Sequence, residues 1–175
     1  MPYGAARWAS SPDARLTASV RSVTSPIDRL AELGITLPSV AAPLAAYVPA
    51  AQAGSLVFTA GQLPMVDGAL PVTGKLGAEV TAEQGTKLAR TAALNALAAV
   101  HALVGLEQVV RVVKVVGYVA ATPEFTAHPA VVNGASVLLG EVFGDAGKHA
   151  RSAVGVASLP LDAPVEIELI VEVAS

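Results

Sequence analysis

Two charged residues near the C-terminal end stand out by type and setting. Arg151 lies among small neighbours, Ala150, Ser152, Ala153 and Gly155. Glu166 follows fifteen residues later, in a run where Val165, Ile167, Leu169, Val171 and Val173 alternate with Glu166, Glu168 and Glu172. A guanidinium is a planar fork that grips a carboxylate through two charge-assisted hydrogen bonds. A glutamate held nearby can take a proton from an attacking water. If the strands carrying the two residues pair as antiparallel neighbours, arginine and glutamate come close on a mostly apolar sheet. Two readings then stay open: a structural ion pair, or a carboxylate-binding arginine beside an acid–base glutamate.

The elements that must position these groups are legible from periodicity. Residues 165–173 alternate with period two, the pattern of a strand with one face on a core. Leu159 to Pro164 supplies turn chemistry before it, and the Arg151 segment reads as the strand preceding that turn. Upstream, Ser25 is an N-cap with Pro26 at the first helical position, and Ile27, Leu30 and Leu33 form one apolar face before Gly34. The segment from Ser55 to Pro64 reads as a strand ended by Gly61-Gln62, and Asp67-Gly68 as a hairpin turn. Thr81 and Gln84 form a capping box opening a helix that runs to about Leu103. Ala89, Ala93, Ala96, Leu97, Val100, Leu103 and Val104 give this helix a stripe of small and aliphatic residues that lets it lie close on a sheet. Residues 108–121 form the longest strand, β-branched on both faces, and are expected to be central and covered twice. Thr122-Pro123 opens a helical segment containing Phe125, Pro129 interrupts it, and a helix resumes through Val131, Val132, Ser136, Leu139 and Val142. The expected architecture is α+β, with helices packed on one face of a mixed β-sheet.

Composition narrows the function. The chain has 175 residues, 53% hydrophobic and only 14% charged, against a norm of about 25% charged in soluble domains. So few polar groups point to surface buried against sister subunits. The apolar stretch from Ala92 to Leu106 is shorter than a membrane span and holds Asn95 and His101, so a soluble, cytoplasmic protein is expected. A net charge of −3 without a Lys/Arg cluster counts against nucleic acid as a partner. With no cysteine and with His101, His128 and His149 far apart, no metal site is expected, and each histidine reads as a helix-face or cap residue. Residues 1–24 have no usable period and are expected to form a disordered or flexible extension, ahead of a single domain over 25–175. Deleting them should leave assembly and melting temperature almost unchanged.

With these residues in view, the chain resembles the reactive intermediate/imine deaminase (Rid, YjgF-like) family, whose members include proteins known as endoribonuclease L-PSP. The resemblance runs from about Ala45 to Val173. It rests on Tyr47, the segment FTAGQLP, the strand-then-helix unit ending near Asn133, and ARSAVGVASLPL followed by VEIE. It implies a chorismate mutase-like fold and a homotrimer with sites at the subunit interfaces. It also implies cofactor-free hydrolysis of enamine/imine intermediates such as 2-aminoacrylate to 2-keto acids and ammonia. Residue by residue, Arg151 matches the arginine that holds the substrate carboxylate, and Glu166 the glutamate that positions the attacking water. Tyr47, Gly61 and Asn133 match substrate-binding positions. Ala60 and Ala153 stand where the best-known branch carries Ser and Cys, which implies a pocket of different size or polarity. The resemblance therefore leaves a non-catalytic trimer that binds a carboxylate metabolite as the alternative, and a ribonuclease or translation inhibitor behind it.

Overall fold

Residues 25–40 and 46–174 are described by the structure, a computed structural model; the extension expected over 1–24 lies outside them. Strand β5 (Val165–Val173) runs through the middle of the fold. Its odd-numbered residues are buried throughout and its even-numbered ones partly exposed, as the alternation predicts. It pairs antiparallel with β2 (Leu56–Thr59) on one side and with β3 (Val109–Ala120) on the other. β1 (Ala50–Ala53) and β4 (Ala150–Val156) form the edges, giving the order β1-β2-β5-β3-β4. The β3–β4 pair is parallel, so the sheet is mixed.

Helices cover one face only. Helix α1 (Pro26–Glu32) begins as the sequence predicts, with the Ser25 hydroxyl accepting from the Asp28 amide. Helix α2 (Ala82–Val104) opens on the full capping box, in which Thr81 and Gln84 satisfy each other's backbone amides. Its stripe from Ala89 to Val100 is buried, whereas Leu103 is 45% exposed near the C-terminal end. Asn95, an apparent defect in this apolar helix, donates to the carbonyls of Leu63 and Met65 at 2.8 and 3.0 Å and pins the loop after β2.

Three local readings are corrected. The hairpin turn sits at Gly54-Ser55, between β1 and β2, in register Ala53↔Leu56. Asp67-Gly68 does turn the chain, with φ of +50° and +82°, but joins only the single bridged pair Val66 and Ala69, because no alternating strand flanks it. The Phe125 segment is not helical: α3 (His128–Phe143) starts after it, with Pro129 in its first turn. A proline there lacks only an amide that would have gone unpaired, so it opens the helix instead of interrupting it. Finally, β3 is interior but covered by helices on one face, and Val110 is 53% exposed.

Helix α3 crosses α2 at Gly134. A Cβ there would stand 2.9 Å from the Thr86 carbonyl carbon and 3.1 Å from the Arg90 nitrogen, so the two backbones touch. Backbone cannot step aside as a side chain can. Gly134→Ala is expected to cost about 3 kcal/mol, the upper end of ordinary overpacking, read as a lowered denaturant midpoint. An unchanged midpoint would show that the helices separate freely.

Candidate functional site

The candidate residues fall into two groups on opposite faces of the sheet. The register places Arg151 beside Val115 on β3, and Glu166 beside Tyr118. Paired residues share a face, and positions three apart on one strand point opposite ways. Val115 is fully buried under the helices, so Arg151 lies on the helix side at the sheet edge. Glu166 lies on the open side. The pairing of β4 with β5 expected from sequence does not occur: β3 comes between them. Two strand spacings and three residues of rise separate the two Cα atoms by ~14 Å, so no Arg151–Glu166 ion pair forms within a chain.

On the helix side, Arg151 meets α3. Its Nη1 donates to Asn133 Oδ1 at 2.7 Å and to Ser136 Oγ at 3.1 Å. Asn133 is therefore not merely a helix-surface residue. Ala153, two residues along β4 and opposite Gly117, lies on the same face and packs at the margin of the core. Among the described arginines, Arg29, Arg90 and Arg111 each pair with a glutamate, at 2.7, 2.7 and 2.6 Å. Arg151 pairs with no carboxylate among the described residues. It is oriented by neutral acceptors.

On the open side, the three glutamates of β5 have different fates. Glu172 is tied to Arg111, and Glu168 accepts from the Tyr118 hydroxyl at 3.3 Å. Glu166 has no hydrogen-bond partner among the described residues. Burial, and secondarily the Glu168 carboxylate, pushes its pKa above the ordinary 4.5. Burial first, then Glu168 and Glu166, likewise pushes the Tyr118 phenol up. Gly61 makes this placement possible. A Cβ on Gly61 would overlap Glu166 Oε1 and stand 2.6 Å from its Cδ. The neighbouring Gln62 exchanges both backbone hydrogen bonds with Ile167, at 2.9 and 3.0 Å, which locks Gly61 against the glutamate. Ala60 is held by its amide donating to the Pro49 carbonyl at 2.9 Å. The register Ala50↔Thr59 brings the Tyr47–Pro49 segment to this same end of the sheet, where Tyr47 is 47% exposed.

The structure thus gathers Arg151, Asn133 and Ala153 in one place, and Gly61 and Glu166 in another near Ala60 and Tyr47. Sequence reasoning missed Ser136, His149 and Tyr118 as members of these groups. Ser136 had a signal: it stands three residues after Asn133, on the same helix face. Of the other histidines, His101 accepts from the Leu106 amide at the end of α2, a capping role as expected.

Residues 27–173 match the family model described as "YjgF/chorismate_mutase-like, putative endoribonuclease". The chain belongs to the YjgF family. Protein TCP17 of Trypanosoma cruzi is 44% identical over 145 residues, 82% of this chain and 91% of that one. A Shewanella oneidensis protein named a "putative endoribonuclease" is similar in structure, with a TM-score of 0.83 and 35% identity over 85% of this chain and 99% of that one. Escherichia coli TdcF, solved with bound serine, gives a TM-score of 0.57 and 26% identity over 80% of this chain and 96% of that one. The mixed α+β sheet is the YjgF/chorismate mutase-like fold. Among the described residues, no helix of this YjgF-family chain is long and apolar enough to cross a membrane.

Proposed function

We propose that this YjgF-family chain hydrolyses reactive enamine/imine intermediates of the 2-aminoacrylate type to 2-keto acids and ammonia. The observation that carries the reading is Arg151, oriented by Asn133 yet without a carboxylate partner among the described residues. The reading includes a homotrimer. Arg151 and Glu166 face opposite sides within one chain, so a site holding both takes one residue from each of two copies. The low charge content of 14% agrees with surface buried between copies. The serine bound to TdcF, a small amino acid with a carboxylate, agrees with the ligand class.

In this mechanism Arg151 grips the substrate carboxylate and fixes the imine carbon. Glu166 takes a proton from water as its oxygen bonds to that carbon. The electron pair of the C=N bond moves to nitrogen, which takes up a proton. That proton comes from solvent. In the second half Glu166 returns its own proton to the nitrogen, the carbon–nitrogen bond breaks to release ammonia, and the hydroxyl proton passes back to solvent, leaving the 2-keto acid. Water and imine in, keto acid and ammonia out, balance without a redox partner. Tyr47, Ala60, Gly61 and Ala153 line the space around the substrate, and the two alanines leave it wider and less polar than Ser and Cys would.

The test is a freshly generated 2-aminoacrylate pool, followed by pyruvate and ammonia release. Release well above the buffer rate is expected. Saturable pyruvate or serine binding without turnover would replace catalysis by the carboxylate-binding reading. Cleavage of RNA that survives repurification would instead favour the activity named for the Shewanella relative.

Glu166 also sets a pH dependence. As a base it works only when ionised, so the acid limb of the rate profile should lie above pH 4.5, its ordinary value. Glu168 raises that value, so Glu168→Gln should move the limb to lower pH. A limb that stays in place would remove Glu168 as the cause. For stability the sign is opposite to that of a salt-bridged carboxylate. The folded chain binds this proton more tightly than the unfolded one, so stability declines as pH rises from 4.5 through the raised value.

A further inference from the structure

Behind Arg151 stands a hydrogen-bond chain that the proposed reaction does not use. His149 Nδ1 lies 2.6 Å from the Gly147 carbonyl, and its Nε2 lies 2.9 Å from Ser136 Oγ. A carbonyl oxygen only accepts, so Nδ1 carries the hydrogen. In the neutral ring Nε2 then offers a lone pair and takes the Ser136 hydroxyl hydrogen. That leaves a Ser136 lone pair toward Arg151 Nη1, at 3.1 Å. Nη1 has two hydrogens, and Asn133 accepts the other at 2.7 Å. Both hydrogens of Nη1 are therefore committed to α3. The opposite edge, Nε–H with Nη2–H, has no partner among the described residues, and it is the side-on edge that takes a carboxylate in two parallel hydrogen bonds.

We propose that Ser136, with its hydroxyl hydrogen drawn away by His149, is a positioning residue that turns the Nε–Nη2 edge of Arg151 toward the ligand carboxylate. The local sequence builds this device. Asn133 and Ser136 are three apart on one face of α3, and His149 and Arg151 are two apart at the start of β4. A serine whose proton were free would present either a donor or an acceptor to the guanidinium, and a donor facing a cation repels it. His149 removes that ambiguity, and Gly147 removes the corresponding ambiguity in His149. This inference rests on the carboxylate-clamp reading of Arg151.

Pyruvate binding to the full chain, measured by calorimetry, tests it alongside melting temperature. Ser136→Ala is expected to weaken pyruvate about tenfold, the scale of one hydrogen bond to a charged group. Its melting temperature should hold, because alanine suits a helix. Ser136→Thr, which keeps the hydroxyl, should restore most of the affinity. His149→Phe should weaken binding less than Ser136→Ala, and the double variant should bind no worse than Ser136→Ala alone. Wild-type affinity in Ser136→Ala, or additive losses in the double variant, would overturn the positioning role while leaving the clamp intact. Wild-type protein that ignores pyruvate, or Arg151→Ala that still binds it, would overturn the clamp and this inference together.

Discussion

Arg151→Ala should abolish keto-acid release, by about 10³-fold or more, while the fold and the proposed trimer persist. The size follows from two losses: the charge-assisted contacts to the carboxylate, and the orientation of the imine carbon that they impose. Persistence of the fold follows from the partners. Arg151 leans on Asn133 and Ser136 of α3, which are neutral; Asn133 is exposed and Ser136 partly buried. Removing it strands no buried carboxylate. Had it paired with Glu166 in a dry interface, the same variant would lose roughly 3–5 kcal/mol and the oligomer with it. Arg151→Lys should recover little, since one ammonium cannot reproduce a side-on pair of hydrogen bonds. Mass by light scattering, melting temperature and activity belong in the same preparation. A destabilised oligomer whose folded fraction keeps full specific activity would sink the clamp.

Much of the frame was legible because it is written locally. The Thr81–Gln84 box, the Ser25 cap and the period-two run of β5 each sit within a few residues, and each stands where the sequence places it. The alanine stripe of α2 was legible too, apart from Leu103, since periodicity cannot say where a helix end leaves the core. What failed was long-range. Nothing in the Arg151 and Glu166 segments announces that β3 inserts between them. Sheet order is decided by which buried faces fit under the helices, and the crossover through α3 makes β3 and β4 parallel neighbours. The Pro129 reading failed for a related reason: a proline breaks a helix or begins one depending on where the preceding chain turns. The candidate residues themselves were legible by type and by resemblance. Their division between two faces was not, and neither was the Ser136–His149 support, whose members are 13 residues apart.

Glu166→Gln should lower turnover by roughly 10²–10⁴-fold, the range for losing a positioned general base. Substrate affinity should change little, because in the proposed mechanism Arg151, on the other group, holds the carboxylate. The amide keeps the size of the side chain and removes its charge, so the variant should also melt higher at neutral pH. That gain has a definite origin: burial and the neighbouring Glu168 disfavour the ionised form, and glutamine has none. Gly61→Ala approaches the same carboxylate from its other side. The added methyl would overlap Glu166 Oε1 with Cδ only 2.6 Å away, so the side chain must swing off while its charge remains. It should therefore lose turnover as Glu166→Gln does, but without the gain in melting temperature. Two variants, alike in rate and unlike in stability, would separate the position of the carboxylate from its charge. Glu166→Gln with near wild-type turnover would end the general-base reading and leave Arg151 as a carboxylate-binding residue alone.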